Sequence, residues 1–342
     1  MQEDNQHPYW FGIDVSKDSF EAAGASILRA GKIVRPEGGF PASAEGVGKF
    51  LDWARKTAGA FSFGVAMETT GVYSRRLARL FAKAEPDLRV AVCNAASVSL
   101  YARSFTEAKS DRADAAFIAR YAVDRNPAAA RRPGQTEAKL QEAVRARHRL
   151  VRHRKDLGNS MESLEDAETR KIQKTMIEQL DKGIARLDAR IRALVDSDET
   201  IKAEVRRMAT VPGVGELSAA VIRAELGSMK NYGRRQISAM SGVCPVNRLS
   251  GTSVHGHAMS RHGSKLLRQT LYLDSFQAIR MIPSMTEFHE RMLKKPESSK
   301  MGARCACMRK LLLILHAMVV NEKDFDAKYK PEKKVKNLQN PA

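Results

Sequence analysis

The sequence predicts an α/β domain, then a coiled-coil middle, then a mainly helical C-terminal domain. Three observations predict this. Residues 10–93 alternate short apolar strand-like runs with stretches of helical period. No proline occurs between Pro133 and Pro212, and that stretch is rich in Glu, Lys, Arg, Ala and Leu. Proline-glycine turns then return around apolar helices. The implied segments are 1–126, 133–200, 201–322 and a lysine-rich tail at 323–342.

In order, residues 10–16 (WFGIDVS) and 20–28 (FEAAGASIL) read as paired strands, with Ser16 to Ser19 as the turn. GKIV at 31–34 reads as a third strand. Residues 43–57 read as a helix with Val47, Phe50, Leu51 and Ala54 on one face. FSFGVAM (61–67) is continuously apolar, as in a buried parallel strand. A helix at 72–84 and a strand at 88–93 (LRVAVC) follow. A three-strand hairpin series leading into β-α-β crossovers is the ribonuclease H arrangement, although many α/β folds share parts of it.

Pro127 and the Arg131-Arg132-Pro133-Gly134 stretch mark a boundary. Beyond it, Leu150, Leu157, Met161 and Leu164 follow heptad spacing, with Arg154 in one core slot. Ile177, Leu180, Ile184, Leu187, Ile191 and Leu194 continue it in a shifted phase. Either a stutter or a reversal into a helical hairpin around 166–172 explains the shift. Self-association is the favoured use of these heptads; a helix pair packed within the monomer is the alternative. Further on, MATVPGVGELSAAVIRAELG (208–227) resembles a helix-hairpin-helix element. Gly213 and Gly215 would let backbone N–H groups meet a phosphate at a helix start. The apolar run Leu311 to Val320 is broken by His316 and too short to span a membrane, so it reads as a buried helix.

The formal net charge is +19 and arginines and lysines recur along the whole chain, which points to extended contact with a phosphate backbone. Cys93, Cys244, Cys305 and Cys307 form no C-x-x-C pair, so neither a zinc site nor a disulfide framework is indicated. The polar, acidic N-terminus does not read as a signal peptide. A reducing cytoplasm, with the protein on the nucleoid, is expected, and no membrane.

Four acids stand out: Asp14 in FGIDVSKD, Glu68 in FGVAMETTGVY, and Asp111 and Asp114 in KSDRAD. The first two close apolar strands, and the second two sit three apart on one face of a helix. Carboxylates in such places repel one another unless a cation sits between them. Brought together they would form a ribonuclease-H-type site for Mg²⁺ (or Mn²⁺) gripping a scissile phosphate. Asp18 and Glu21 read as turn and surface acids. Lys109 and Arg112 flank the helical pair, either to contact the phosphate or to neutralise the acids.

Residues 237–271 are dense in Ser, Gly, His and Arg, and 245–263 is too long and polar for a plain connector. A serine there, suitably activated, can attack phosphorus, but spacing alone does not choose among Ser250, Ser253 and Ser260. His255, His257 and His262 lack a nearby acid or cysteine to complete a metal site, so contact with phosphate or RNA is favoured. Arg248, Arg261, Lys265 and Arg268 would then be backbone clamps.

At this point the chain resembles a known family. GIDVSKDSF, METTGVY and KSDRADAAFIA look like the N-terminal motifs of the DEDD transposases of the IS110 insertion-sequence group, the IS1111 branch included. VPGVGELSAAVIRAELG, SGVCPVNRLSGT and MSRHGSKLLRQTLY look like the C-terminal domain of that group, to which the Piv-type DNA invertases are related. The resemblance covers roughly residues 10–320. It implies a RuvC-like N-terminal domain with Asp14, Glu68, Asp111 and Asp114 as the metal-binding tetrad. It implies that Ser250 is the nucleophile, linking covalently to DNA before the strand is transferred. It also implies a structured noncoding guide RNA (a bridge RNA) that pairs with donor and target DNA, and dimers that pair into tetramers sharing active sites. Two departures stand out: Leu249 and Thr252 replace a serine and a glycine of the family's S-S-G-G run, and Ser110 stands where threonine is common.

Three functions compete. The first is an RNA-guided DNA transposase-recombinase using the tetrad and Ser250. The second is a nuclease of the junction-resolving kind, for which the tetrad suffices; a site-specific invertase is closer to the first in chemistry. The third is a non-catalytic nucleic-acid binder, which four carboxylates facing phosphate without metal would oppose.

Overall fold

The computed structural model describes residues 8–29, 32–69, 71–105, 111–131, 133–250, 254–260, 263–295 and 299–327. The chain divides into two compact units, Met1–Arg132 and Pro133–Ala342.

The first unit is built on a mixed sheet. Strands β1 (Tyr9–Val15) and β2 (Ser19–Ser26) pair antiparallel through the tight turn at Ser16, whose N–H donates to the Ser19 carbonyl at 3.0 Å. Next come β3 (Phe40–Pro41), helix α1 (Ala44–Ala58), β4 (Phe63–Glu68), helix α2 (Val72–Ala84), β5 (Arg89–Cys93), and helices α3 (Ala95–Arg103) and α4 (Asp111–Arg125). The strand order is β3-β2-β1-β4-β5, with β1, β4 and β5 mutually parallel. GKIV is not a third strand: Val34 makes a single bridge to Gly24, and the third strand is the two-residue β3, kept to the sheet edge by Pro41. Helix α3 was not anticipated from the sequence.

Alternation along the strands gives the sheet two faces. Phe11, Ile13, Val15, Phe20, Val65 and Met67 pack under α1 and α2, where Phe50 and Phe81 complete an aromatic cluster. Trp10, Ala25, Ala66, Ala91 and Cys93 face Ile118, Ala119 and Ala122 of α4. Gly12 lies on that second face because α4 passes close over it. A Cβ there would sit 2.1 Å from the Ala115 carbonyl oxygen and 2.3 Å from the Ala119 nitrogen.

In the second unit α5 (Gln135–Ser160) and α6 (Ala167–Asp196) form an antiparallel hairpin. The chain reverses through a 3-10 turn at Met161–Ser163, slightly before the 166–172 region, and Asp166 caps α6 by accepting the Thr169 N–H at 2.7 Å. The phase shift in the heptads is therefore a reversal. Helices α7 (Glu199–Ala209) and α8 (Glu216–Leu226) follow, then α9 (Arg234–Ser241). Strands β6 (Pro245–Ser250) and β7 (Val254–Met259) make an antiparallel ribbon where the sequence reads as a long polar loop. Helices α10 (Lys265–Met281), α11 (Pro283–Leu293) and α12 (Lys300–Asn321) complete it. Leu311, Leu312 and Leu315 of α12 are fully buried among α7, α8 and α10 residues, as the apolar run requires. Among the described residues no helix is long and apolar enough to cross a membrane.

A buried ion network fastens the hairpin to this helical core. Arg223 of α8 meets Glu204 of α7 at 2.5 Å and Glu137 of α5 at 3.2 Å, and the Ser228 hydroxyl donates to Glu204 at 2.5 Å. Arg145 of α5 grips Glu225 of α8 with two bonds of 2.6 and 3.0 Å.

Candidate functional site

Strand alternation puts two of the sequence-predicted acids of the first unit, Asp14 and Glu68, on one face of the sheet. Gly12 and Ala66 both belong to the α4 face of the sheet, so Asp14 and Glu68, two residues further along their strands, belong to it too. Strands β1 and β4 are parallel and paired up to Ile13 and Met67, which leaves Asp14 and Glu68 at the same level of the sheet edge. Glu68 also pairs with Cys93 of β5. Its charge, after burial, helps push the Cys93 thiol up to about 11.

Helix α4 runs opposite to β1, because Trp10 packs near Ala122 and Val123 whereas Gly12 lies beneath Ala115. The first turn of α4 therefore lies at the Asp14 end of the strand. Asp111 opens that turn and Asp114 immediately precedes the packed Ala115. Asp14, Glu68 and Asp114 are each half-buried. The side chains of Asp111 and Arg112, and all of Lys109, lie outside the described residues.

One acid was misread from the sequence. Glu21 sits directly opposite Asp14 in the β1–β2 register, and directly opposed residues in an antiparallel pair share a face. It is half-buried on the α4 side, not a free surface acid, and it lines a cavity of about 240 Å³ with Arg35, Pro36, Glu37 and Ala115. The hairpin turn at Ser16 to Ser19 was the signal: counting outward from it pairs residue 14 with residue 21.

All these donors are carboxylates, the ligand type that hard divalent cations take. Among the described residues no three acid, histidine or cysteine side chains stand close enough to hold an ion, and Asp111 is outside that set. The fit to a divalent cation therefore rests on donor chemistry and on shared placement at the sheet edge.

In the second unit, Ser250 is the last residue of β6 and pairs with Val254, and Arg248 pairs with Gly256. The side chains of residues 246–250 and 254–258, and all of 251–253 and 261–262, lie outside the described residues; these include Ser253, Arg261 and His262, and the side chains of His255 and His257. Ser260 donates its N–H to the Cys244 carbonyl at 2.9 Å, closing the foot of the ribbon. Lys265 is exposed at the start of α10, behind the Ser264 cap, whose hydroxyl accepts the Leu267 N–H at 3.2 Å. Arg268 donates to the Gly263 carbonyl at 3.0 Å and so braces that cap.

The two glycines of the α7–α8 turn differ. Gly213 adopts φ +94° and its missing side chain lets the turn meet α10, since a Cβ would lie 2.7 Å from that of Gln277. Gly215 is the exposed N-cap of α8 with no side-chain cap, leaving the amides of the first turn open.

A DEDD transposase model of the IS110 type, described as a transposase, matches residues 11–166. A second, described as "Transposase IS116/IS110/IS902 family", matches residues 205–290. The chain is 25% identical over 264 residues to the pilin gene-inverting protein of Moraxella bovis, covering 76% of this chain and 81% of that one. The protein of the same description from Moraxella lacunata matches to the same extent. Over 112 residues it is 30% identical to the transposase for insertion sequence element IS1111A of Coxiella burnetii, 31% of each chain. The class is thus that of the transposases, enzymes that recombine DNA. Within that class the chain belongs to the IS110 family, the DEDD-type match spanning most of the first unit and running on into α5 and the turn after it, and the second match lying within the second unit.

Proposed function

We propose that the protein cuts and exchanges DNA strands at a two-part active site, the acidic sheet edge of the first unit and Ser250 of the second. The observation that carries this reading is the placement of Asp14, Glu68 and the first turn of α4 at one end of one sheet face, in a chain whose two halves both match IS110-type domains. The strand order β3-β2-β1-β4-β5, antiparallel on one side and parallel on the other, supports a RuvC-like, ribonuclease H type of fold for residues 1–126.

Asp14, Glu68, Asp111 and Asp114 would hold Mg²⁺ or Mn²⁺, which supplies charge stabilisation at the scissile phosphate when bound. Ser250, the last residue of β6, would supply the nucleophilic hydroxyl. Its hydroxyl would give up a proton as Oγ bonds to phosphorus; the bond to the leaving sugar oxygen breaks and that oxygen takes up a proton, so the step is balanced overall. Lys109, Arg112, Arg248, Arg261, Lys265 and Arg268 would contact the phosphate backbone, with Gly215 opening α8 to a phosphate; Gly213 serves chiefly the packing of its turn.

A structured guide RNA pairing with donor and target DNA is the partner we assign to the remaining positive charge. Assembly into dimers and then tetramers is supported by residues 133–200. There an apolar groove of about 680 Å³ between α5 and α6 is lined by Leu150, Leu157, Met176 and Leu180. Residues 201–322 would be the catalytic transposase domain and 323–342 a basic tail. A cytoplasmic, nucleoid-associated site of action fits this reading. The likeness to two gene-inverting proteins favours inversion of a fixed segment as the second reading; the DNA flanking the gene separates it from transposition.

The test is strand exchange with purified protein, Mg²⁺, the flanking noncoding RNA and a supercoiled plasmid bearing the element's ends. A protein–DNA adduct that survives denaturation, and is lost in Ser250→Ala and in Asp14→Ala, is the expected result. Cleavage without an adduct and indifferent to Ser250 would mean a hydrolytic nuclease.

A further inference from the structure

The hairpin arm carries a charge pattern that self-association does not use. Of the eleven residues Arg145 to Lys155, eight are Arg, Lys or His. Three of these are committed internally: Arg145 to Glu225, Arg147 to Asp188, and Arg154 to Asp181 at 2.6 Å. These pairs fix the arm on α8 and close α5 onto α6.

The others lie elsewhere on α5. Gln141, Arg145, His148, Arg152 and Lys155 follow steps of four and three, so they form one stripe. The foot of the stripe is anchored, since Gln141 donates to the Ala224 carbonyl at 3.1 Å and Arg145 grips Glu225. Above that foot the stripe is open. The Arg152 side chain is 71% exposed, and its acid neighbour Asp156 stands 3.9 Å away and is itself 62% exposed. Arg149, at the edge of the stripe, and Lys155 and Lys265 are exposed and have no ion-pair partner among the described residues. The His148 imidazole is held below its ordinary value by burial, then by the charges of Arg152 and Lys265, with Glu225 opposing and Arg147 adding to them. Lys265, exposed at the start of α10, thus lies near enough to His148 for its charge to be felt there, and adds to the positive charge of this face.

We propose that this face of α5, His148, Arg149, Arg152 and Lys155, continued by Lys265 of α10, is a binding rail for the phosphate backbone of a nucleic acid. From residue 148 to 155 the rail spans about 10 Å, at about 1.5 Å per helical residue, long enough for successive phosphates. Charge complementarity selects the occupant: like charges at this density oppose a second copy of the same face and favour a polyanion. The apolar groove for helix association lies instead between α5 and α6. The rail rests on neither the metal site nor Ser250.

The experiment uses the full chain in EDTA, so that no strand chemistry intervenes. Binding to a duplex DNA and to a hairpin RNA is followed by fluorescence anisotropy over a range of salt. The triple variant Arg149→Gln, Arg152→Gln, Lys155→Gln is compared with an equal-charge control on α6, Lys171→Gln, Lys174→Gln, Lys182→Gln. For the rail variant we expect about a tenfold loss on at least one probe. Its log–log salt slope should flatten by about 2 to 3, close to 0.9 per lost duplex contact. The control should change less than about twofold. The probe that suffers more identifies DNA or RNA as the occupant. Equal losses in both triples, or none in either, would overturn the rail. Ser250→Ala should bind like the wild type, so failure of the catalytic reading and failure of the rail are separable.

Discussion

The two units treat carboxylates in opposite ways. In the first, Asp14, Glu21, Glu68 and Asp114 stand half-buried at one edge of a sheet, beyond the end of an apolar core. In the second, Glu137, Glu204 and Asp274 are sunk to 7% exposure or less and answered from within, by Arg223, Ser228 and Ser218. An acid answered from within fastens helices together. The acids at the rim instead share one edge of a sheet, which is where the proposed cation site would lie. Burial alone would have chosen a different set, because the most buried acids among the described residues are those that tie helices together.

The comparison breaks most sharply at Arg223. Removing it leaves Glu204 and Glu137 charged in a site closed to water, a loss of about 3–5 kcal/mol. Arg223→Ala should therefore lower the urea midpoint drastically, whereas Asp14→Ala, at the rim, should leave it nearly unchanged. A small effect of Arg223→Ala would mean the network is dispensable and the arm is held by Arg145 and packing alone.

Gly12 gives the next largest effect and joins stability to the site. Even one methyl there would press on the backbone of α4 at Ala115, so α4 must lift from β1. Overpacking of this kind costs about 1–3 kcal/mol. Gly12→Ala is expected to lower the melting temperature and also to abolish adduct formation, because the lift moves Asp111 and Asp114 away from Asp14. Full strand exchange by Gly12→Ala would show that the close approach is packing only.

How far these features were legible in the sequence follows the same division. The β1–β2 hairpin, the parallel β4 and β5, and α1 and α2 could be read because each buries a regular apolar face. The third strand could not: Val34 pairs at one point and β3 has two residues, too short for any period. The ribbon of β6 and β7 reads from the sequence as a long functional loop, because its Ser, Gly, His and Arg residues give no clear alternation of apolar and polar positions. Its pairing is held by the backbone ladder, which sequence does not display. Glu21 was missed since its partner across the hairpin depends on register and not on its neighbours in the chain. Asp274 gave no signal at all, being one acid in a helix whose buried face only tertiary packing defines.

That residue supplies the finest test of the contrast. Asp274 is 5% exposed on α10, and the Ser218 hydroxyl donates to its Oδ1 at 2.8 Å. Burial pushes its carboxyl from the ordinary 3.8 up to about 6, with the Ser218 bond opposing. The folded chain therefore holds this proton more tightly than the unfolded chain. Below about 4 both states are protonated and nothing is lost; as pH rises from about 4 to 6 the unfolded chain ionises first and stability falls; above about 6 the full cost, about 1–3 kcal/mol, is present. Asp274→Asn cannot ionise and still accepts the Ser218 bond, so its urea midpoint should lose this part of the pH slope between 4 and 6. Identical slopes in the two proteins would show that Asp274 remains charged in the folded state, answered by a group beyond Ser218. The acids of the second unit would then no longer divide so cleanly from those at the rim of the first.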